Sequence, residues 1–167
     1  LHDALPIYFL CVTTADCLPI ILYDKNKKAV AAIHAGWKGT LGRIVENTIA
    51  EMQKQYNCNP QDMIAGIGPS ISFANYEVGD ELILKFSDYG FDMTDREVCG
   101  RKTPTSKYYL NIKEINRREL IKLGIPEGNI EVSDLCTFEK QEMFFSARRQ
   151  TIHSGRMLTG IMIKKEE

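Results

Sequence analysis

A carboxylate, a thiol and an imidazole lie at the ends of two neighbouring apolar segments. Asp16 and Cys17 follow the first segment, and His34 is near the end of the second. If a hairpin around residues 24–28 joins the strands beside these motifs, position 17 faces position 34 or 35. The sequence therefore predicts that the thiol of Cys17 and the imidazole of His34 lie within a few ångströms of each other.

A neighbouring thiolate and imidazole support two kinds of chemistry. They can bind zinc or copper, or the histidine can activate the cysteine as a nucleophile. The spacing does not choose between these possibilities, and a single cysteine or histidine on an apolar strand is also a common packing residue. A catalytic zinc needs three protein ligands, and only Cys17 and His34 are supported by spacing. His2 and His153 are further candidates by residue type alone.

Three basic residues are candidates for binding an anion near this pair. Lys38 lies between two glycines shortly after His34, and Arg148 and Arg149 are adjacent late in the chain. Paired arginines can bind a phosphate or a carboxylate through two parallel hydrogen bonds, although surface salt bridges are an equally good interpretation. Trp37, beside Lys38, offers a face on which a ring can stack.

The hydrophobic pattern predicts an α+β fold with a mixed sheet. Strands and helices do not alternate strictly, so a mixed-sheet sandwich is favoured over a doubly wound parallel sheet. Residues 91–107 are polar without clear periodicity and predict a surface excursion. The predicted strands include 7–14, covered on both faces, then 19–23, 29–35, 63–71 and 157–165. The predicted helices are 41–56, with Thr40 as its cap, 76–90, closed by Gly90, and the end of 108–124, stopped by Gly124.

Composition limits the class of protein. A chain of 167 residues with 44% hydrophobic content is expected to form a single domain around one core. The net charge of -1 gives no overall positive field that would attract a nucleic acid or an anionic membrane. No apolar stretch is long enough to span a bilayer, so we expect a cytoplasmic protein. The five cysteines are widely spaced and odd in number, which argues against a disulfide framework. Cys11, Cys58 and Cys99 are interpreted as buried free thiols.

Four segments, taken in order, resemble the YfiH-like family, whose members were once labelled polyphenol oxidases or laccase-domain proteins. The resemblance covers nearly the whole chain from about residue 9, and its most specific part is the pair ADC and HAGW. The segments are TADCLPIILYD, AAIHAGWKGTLGRIVENTI, IGPSISFANYEVG and CTFEKQEMFFSARRQTIHSGRMLTGIMI. The sequence departs from the family pattern at Lys38, where many relatives have arginine, and at residues 73–75.

The resemblance implies a layered α/β/β/α sandwich and a zinc-dependent purine nucleoside phosphorylase with adenosine deaminase activity. Cys17 and His34 match two of the three metal ligands, and the third is expected upstream of residue 1, in a chain that lacks its N-terminal portion. Asp16 is expected to transfer a proton or to orient the attacking group. Lys38, Arg148 and Arg149 are expected to surround phosphate. Adenosine, inosine, guanosine and methylthioadenosine are all candidate substrates.

Three alternatives stay open at this stage. The older family label suggests a copper-dependent phenol oxidase, although three histidines are too few for a laccase-type copper cluster. A metal-free hydrolase could use Cys17 as a nucleophile activated by His34. A chain without its third metal ligand could also be an inactive binding fragment.

Overall fold

The computed structural model describes residues 8–164, which form nine β-strands and five α-helices. The strands are β1 Leu10–Thr14, β2 Leu18–Asp24, β3 Ala29–Ala35, β4 Met63–Ile67, β5 Glu77–Val78, β6 Cys99–Arg101, β7 Tyr108–Leu110, β8 Ile130–Val132 and β9 Met157–Ile161. The helices are α1 Trp37–Leu41, α2 Ile44–Tyr56, α3 Asp80–Asp88, α4 Ile112–Lys122 and α5 Ala147–Gln150. Short 3₁₀ turns occupy Pro60–Asp62, Glu127–Asn129 and Thr151–His153.

A mixed four-stranded sheet carries the two motifs. Its strand order is β3-β2-β4-β8, with antiparallel pairing except between β4 and β8, which are parallel. The polar turn at residues 25–28 joins β2 to β3 as a hairpin. Two smaller sheets, β1-β9 and β5-β7-β6, accompany it. The mixed-sheet fold class predicted from the sequence is confirmed.

The main core lies between this sheet and helices α2 and α4. Leu18, Ile20 and Leu22 alternate along β2 and are fully buried, as expected for one face of a pleated strand. They pack in one cluster with Ile49 of α2 and Leu120 of α4. Complete burial of an aliphatic side chain of this size stabilises the fold by roughly 1.5–3 kcal/mol. The hairpin that carries Cys17 and His34 is therefore firmly anchored.

A second core lies against the small sheet β5-β7-β6. Phe86 of α3 is fully buried there, and its ring meets Phe91 edge to face with 5.1 Å between the centroids. Val98 and Cys99 are buried in the same cluster. The prediction that residues 91–107 form only a surface excursion is therefore wrong, because part of this segment pairs as β6 and fills the core.

The helix predicted over residues 41–56 is interrupted. Helix α1 ends at Leu41 and α2 begins at Ile44, because Arg43 adopts a left-handed conformation with φ 55°. The guanidinium of Arg43 donates to Glu119 Oε2 over 2.8 Å, and this contact holds the break in place. Thr40 does not cap the helix, contrary to the prediction: it is buried and accepts a hydrogen bond from Asn116 Nδ2 over 3.0 Å. The hydroxyl that we expected to cap the helix instead makes a tertiary hydrogen bond with Asn116.

The first strand is more exposed than its apolar sequence predicts. Strand β1 begins at Leu10 and pairs with β9 among the described strands, and Leu10 is 40% exposed. Cys11 is also exposed, so its interpretation as a buried thiol is wrong, whereas Cys58 and Cys99 are buried and free as predicted. Between residues 8 and 164, no helix combines the length and the apolar character needed to cross a membrane.

Candidate functional site

The hairpin places the thiol of Cys17 and the imidazole of His34 beside the same residue, Gly36. Leu18 pairs with Ala35, so position 17 lies opposite Gly36, one residue beyond the predicted register. A Cβ atom placed on Gly36 would lie 2.9 Å from Cys17 Sγ and 3.5 Å from His34 Nε2. Both donor atoms therefore border the small space that the missing side chain of Gly36 leaves open. The predicted proximity of the two side chains is confirmed.

The surroundings of Cys17 disfavour its charged form. Burial raises the pKa of the Cys17 thiol, the negative charge of Asp16 raises it further, and Arg156 acts in the opposite direction. Cysteines that act as nucleophiles without a metal have lowered pKa values. A bound divalent cation would instead favour the thiolate directly. The environment of Cys17 is thus suited to a metal ligand better than to a free nucleophile.

Asp16 is held by three hydrogen bonds from a distant part of the chain. It is 9% exposed and has a left-handed backbone with φ 77°. Thr137 Oγ1 donates to Asp16 Oδ1 over 2.6 Å, and Ser146 Oγ and the backbone N–H of Arg148 donate to Asp16 Oδ2 over 2.9 and 2.7 Å. A carboxylate offers about four acceptor positions, so roughly one is left for another group. Asp16 therefore joins the loop before β2 to residues 137–148.

The two adjacent arginines have different contacts. Arg149 Nη2 donates to the carbonyl of Phe144 over 2.8 Å, and its Nη1 donates to the carbonyls of Thr137 and Phe138. Its guanidinium therefore holds the loop 137–144 in shape. Arg148 is exposed, and its Nη1 donates to the carbonyl of Glu77 over 2.9 Å. Most of the donor groups of Arg148 thus remain available to a ligand.

A small cavity of about 50 Å³ lies beside Cys17. Its lining comprises Asp16, Cys17, Gly36, Trp37, Ile71, Tyr76 and Ile112. Three cations flank its aromatic walls: Lys38 Nζ and Lys85 Nζ lie 5.4 and 5.9 Å from the Trp37 ring centroid, and the Arg148 guanidinium lies 5.7 Å from that of Tyr76. The cavity is far smaller than the roughly 300 Å³ of a typical ligand pocket. It can take only part of a ligand, and the rest would lie outside, where His34 is exposed.

Tyr76 is a site residue that sequence reasoning missed. Burial, assisted by the nearby charge of Cys17, raises the pKa of Tyr76 to about 12. Its hydroxyl therefore stays protonated near neutral pH and can donate a hydrogen bond. No local signal distinguishes this tyrosine, because only tertiary packing brings it to the cavity.

The remaining histidines do not complete a metal site within residues 8–164. His153 is exposed in the turn Thr151–His153, and no group of three histidine, cysteine, aspartate or glutamate side chains in that range could hold a metal ion. His2 lies outside the described residues. Cys17 and His34 nevertheless form a donor pair that suits zinc or copper. The metal-ligand roles of both residues stay predictions.

The sequence matches a known family over most of its length. The profile of the family described as "Multi-copper polyphenol oxidoreductase laccase" matches residues 3–164. The chain is 46% identical over 160 residues to a protein of Bacteroides thetaiotaomicron named "Purine nucleoside phosphorylase", covering 96% of this chain and 58% of that protein. It is 41% identical over 153 residues to "Adenosine deaminase RL5" of an unknown prokaryotic organism, covering 92% of this chain and 57% of that protein.

A solved structure has the same fold. The crystal structure of the hypothetical protein YfiH of Bacillus licheniformis superposes with a TM-score of 0.86 at 38% sequence identity, covering 93% of this chain and 58% of that one. The present chain therefore spans a little more than half the length of the relatives it matches.

Proposed function

The chain belongs to the YfiH-like, laccase-domain family, and from this premise we propose that it is a zinc-dependent purine nucleoside phosphorylase that also deaminates adenosine. The names of two relatives, a purine nucleoside phosphorylase and an adenosine deaminase, support the two reactions. Candidate substrates are adenosine, inosine, guanosine and methylthioadenosine. Because the chain spans little more than half of those relatives, the activity itself is part of the proposal.

One observation carries the proposal: Cys17 Sγ and His34 Nε2 border the same space beside Gly36. One sulfur and one imidazole nitrogen are typical zinc donors, and any further protein ligand would come from outside residues 8–164. A zinc ion held there would supply Lewis acidity, which polarises an attacking or leaving group at neutral pH. Copper is the alternative metal for the same donors.

The chain's own residues would position the substrate. The cavity beside Cys17 holds only a small group, so the nucleoside would lie across its rim, near the exposed His34. The protonated hydroxyl of Tyr76 could donate to the base or to the sugar. Asp16 keeps about one free acceptor position, through which it could orient the attacking group or accept its proton. Its three existing hydrogen bonds support a positioning role at least as strongly.

Phosphate would be bound between two cations. Lys38 and Arg148 are both exposed, and each lies beside an aromatic wall of the cavity, on Trp37 and Tyr76 respectively. Positive charge that is already in place at this position would stabilise the phosphate as it attacks the ribose. Arg149 was also predicted to bind phosphate; we propose that it instead supports phosphate binding by holding the loop 137–144, which leads into helix α5 and Arg148.

Two other enzyme functions compete with this proposal. The family description favours a copper-dependent phenol oxidase, and the same two donors would suit copper. A metal-free hydrolase with Cys17 as nucleophile is less favoured, since burial and Asp16 raise the pKa of that thiol. The non-enzymatic alternative is an inactive binding fragment.

The test combines metal analysis with product assays. Purified protein is analysed by plasma mass spectrometry and incubated with inosine plus phosphate, to detect hypoxanthine, and with adenosine, to detect ammonia. We expect zinc and both products in the wild type, loss of metal and products in Cys17→Ser, and retention of both in Cys11→Ser, whose thiol lies on exposed β1.

Each contrary result identifies a different function. Full activity of metal-free protein would overturn the zinc mechanism in favour of the hydrolase. Copper content with oxidation of a phenol would favour the oxidase. If the zinc-loaded protein forms none of these products, the inactive binding fragment is the favoured interpretation.

A further inference from the structure

A second and larger cavity lies away from Cys17. It has a volume of about 560 Å³. One side is formed by the hairpin of the paired strands β6 and β7, which is distinct from the β2–β3 hairpin, and the other side by the turn at residues 72–75. We call it the hairpin groove and define it by Phe73, Arg96, Gly100, Arg101, Lys102 and Tyr109. It shares no lining residue with the cavity beside Cys17. Its volume falls within the roughly 300–1,000 Å³ of small-molecule sites.

The hairpin groove carries uncompensated positive charge. Its lining includes three cations and no carboxylate. Arg101 is neutralised by Asp80, with 3.1 Å between Nη2 and Oδ2. Lys102 Nζ donates to the carbonyl of Ala74 over 3.0 Å, which fixes its position but leaves its charge unpaired. A positive charge at a fixed position inside a concave surface attracts an anion.

Arg96 is the second unpaired cation of the groove. Within residues 8–164 its side chain makes no hydrogen bond and no ion pair. The acidic residues on either side of it do not compensate it, because Asp95 and Glu97 are bound to Arg118 over 2.6 and 2.7 Å. Its whole guanidinium is therefore available, and a phosphate can accept two parallel hydrogen bonds from such a group.

Flat aromatic surfaces line the same groove. The Tyr109 ring lies under Lys102, whose Nζ is 4.2 Å from the ring centroid, and Tyr109 is held by a hydrogen bond of 3.3 Å from its hydroxyl to Glu77 Oε2. The Phe73 ring approaches Gly100, where a Cβ atom would lie 3.5 Å from Cζ. The glycine leaves the floor beside the Phe73 ring open. Lys102 covers the Tyr109 face, whereas an aromatic ring such as Phe73 can stack with nucleobases and other planar rings.

From these features we propose that the hairpin groove binds a small phosphorylated molecule with a planar ring, of the nucleoside monophosphate class. Arg96 and Lys102 would hold the phosphate, Phe73 would contact the ring, and Tyr109 would support Lys102 through its face. This site is separate from the proposed catalytic site and does not depend on its activity. The groove variants named below are therefore expected to leave nucleoside turnover unchanged when no nucleotide is present.

The test measures binding of AMP by isothermal titration calorimetry. Arg96→Glu is expected to weaken binding about tenfold or more, the usual effect of losing a charge-assisted hydrogen bond. Gly100→Val is expected to weaken it without any change in charge, because a Cβ there makes an ordinary contact with Phe73 and the added methyl groups fill the floor. Lys25→Glu changes the charge equally on the exposed turn before β3 and should have no effect.

Separate ligands test the two halves of the proposal. Inorganic phosphate and adenosine should each bind the groove at least about tenfold more weakly than AMP, since each makes only part of the contacts. The proposal is wrong if AMP does not bind, if Arg96→Glu binds it as well as the wild type, or if phosphate binds as tightly as AMP to the Arg148→Ala variant, in which the proposed catalytic phosphate contact is removed. Binding that is lost in Arg148→Ala but kept in Arg96→Glu would place AMP beside Cys17, which would refute the groove and leave the proposed function intact.

Discussion

Thr137 donates a hydrogen bond of 2.6 Å to the buried carboxylate of Asp16, across 121 residues of sequence. Ser146 and Arg148 donate to the same carboxylate. Asp16 precedes Cys17 directly, so these bonds connect the position of the thiol to the loop at residues 137–146 and to helix α5, which carries Arg148. Changes in this loop should therefore affect both stability and the candidate site.

Thr137→Val tests this connection. Valine keeps the shape of threonine but removes the donor, which leaves Asp16 Oδ1 without its partner. We expect a loss of about 1–3 kcal/mol in the free energy of unfolding, measured by urea denaturation, together with reduced nucleoside turnover. Thr105→Val, at an exposed position, is the control and should change neither. An unchanged unfolding curve for Thr137→Val would show that the bond contributes nothing to stability.

Gly36→Ala tests the space between the two proposed ligands. Its Cβ would lie 2.9 Å from Cys17 Sγ, so the thiol must turn away. We expect about 10- to 100-fold weaker zinc binding, comparable to the effect of disturbing the groups that orient metal ligands. Gly128→Ala is the matched control, because a Cβ there has no neighbour within 4 Å. Competition with a chromogenic chelator measures both, and equal affinities would argue against a zinc site at this point.

Arg148→Lys and Arg149→Lys should behave differently although the residues are adjacent. Lysine cannot reach the three carbonyls that Arg149 binds through its planar guanidinium, so Arg149→Lys should lower the melting temperature. Arg148→Lys should leave the melting temperature nearly unchanged and raise KM for phosphate. Thermal scans and phosphate titrations separate the two effects. The reverse pattern would exchange the roles assigned to the two arginines.

Asp24 should contribute to acid sensitivity. Burial alone would raise the pKa of Asp24, but hydrogen bonds from the backbone N–H groups of Lys27, Asn59 and Asn26 outweigh it and lower the pKa below its ordinary value of 3.8. A lowered folded-state pKa stabilises the protein above the ordinary value, and this stability is lost as the pH falls through the folded pKa.

Asp24→Asn should therefore destabilise the protein by about 1–3 kcal/mol at pH 7 and lose less further stability below pH 4 than the wild type. Asp88→Asn, at the exposed end of α3, is the control. Urea unfolding at several pH values measures how the free energy of unfolding of each protein changes with pH. If the free energy of unfolding changes with pH equally in Asp24→Asn and the wild type, Asp24 has the same pKa in the folded and unfolded states.

The cysteines should differ in their rates of alkylation. Cys11 is exposed and should react first with iodoacetamide at pH 8. Burial and the neighbouring Asp24 raise the pKa of Cys58 to about 11, so only about one molecule in a thousand carries its thiolate at that pH. Cys58 should react only after unfolding. Peptide mass spectrometry follows each site, and early labelling of Cys58 in the native protein would contradict its burial.

The hairpin of the candidate site was predictable because its determinants are local. The turn at residues 25–28 is polar, the strands beside it are apolar, and antiparallel neighbours need no distant partner to set their register. The proximity of Cys17 and His34 follows from that register, apart from the shift of one residue. The most specific motifs of the YfiH-like resemblance, ADC and HAGW, lie at the same hairpin, and the family match confirms the resemblance.

Features set by distant contacts were not predictable. The break between α1 and α2 depends on Arg43 reaching Glu119, and a helical hydrophobic pattern continues through it. Arg148 and Arg149 are identical in residue type, and only their tertiary partners distinguish them: the carbonyls of loop 137–144 for Arg149 and the carbonyl of Glu77 for Arg148. Tyr76 reaches the cavity by tertiary packing alone. Local periodicity carries no information about such partners.

The hydrogen bonds of Asp16 also have a consequence for synthesis on the ribosome. Strands β2 and β3 can leave the exit tunnel and pair early, whereas the donors of Thr137, Ser146 and Arg148 are translated more than a hundred codons later. Until then Asp16 is a carboxylate without partners and favours hydrated, open conformations of its loop. A nascent chain should consequently form its hairpin well before its candidate site is complete.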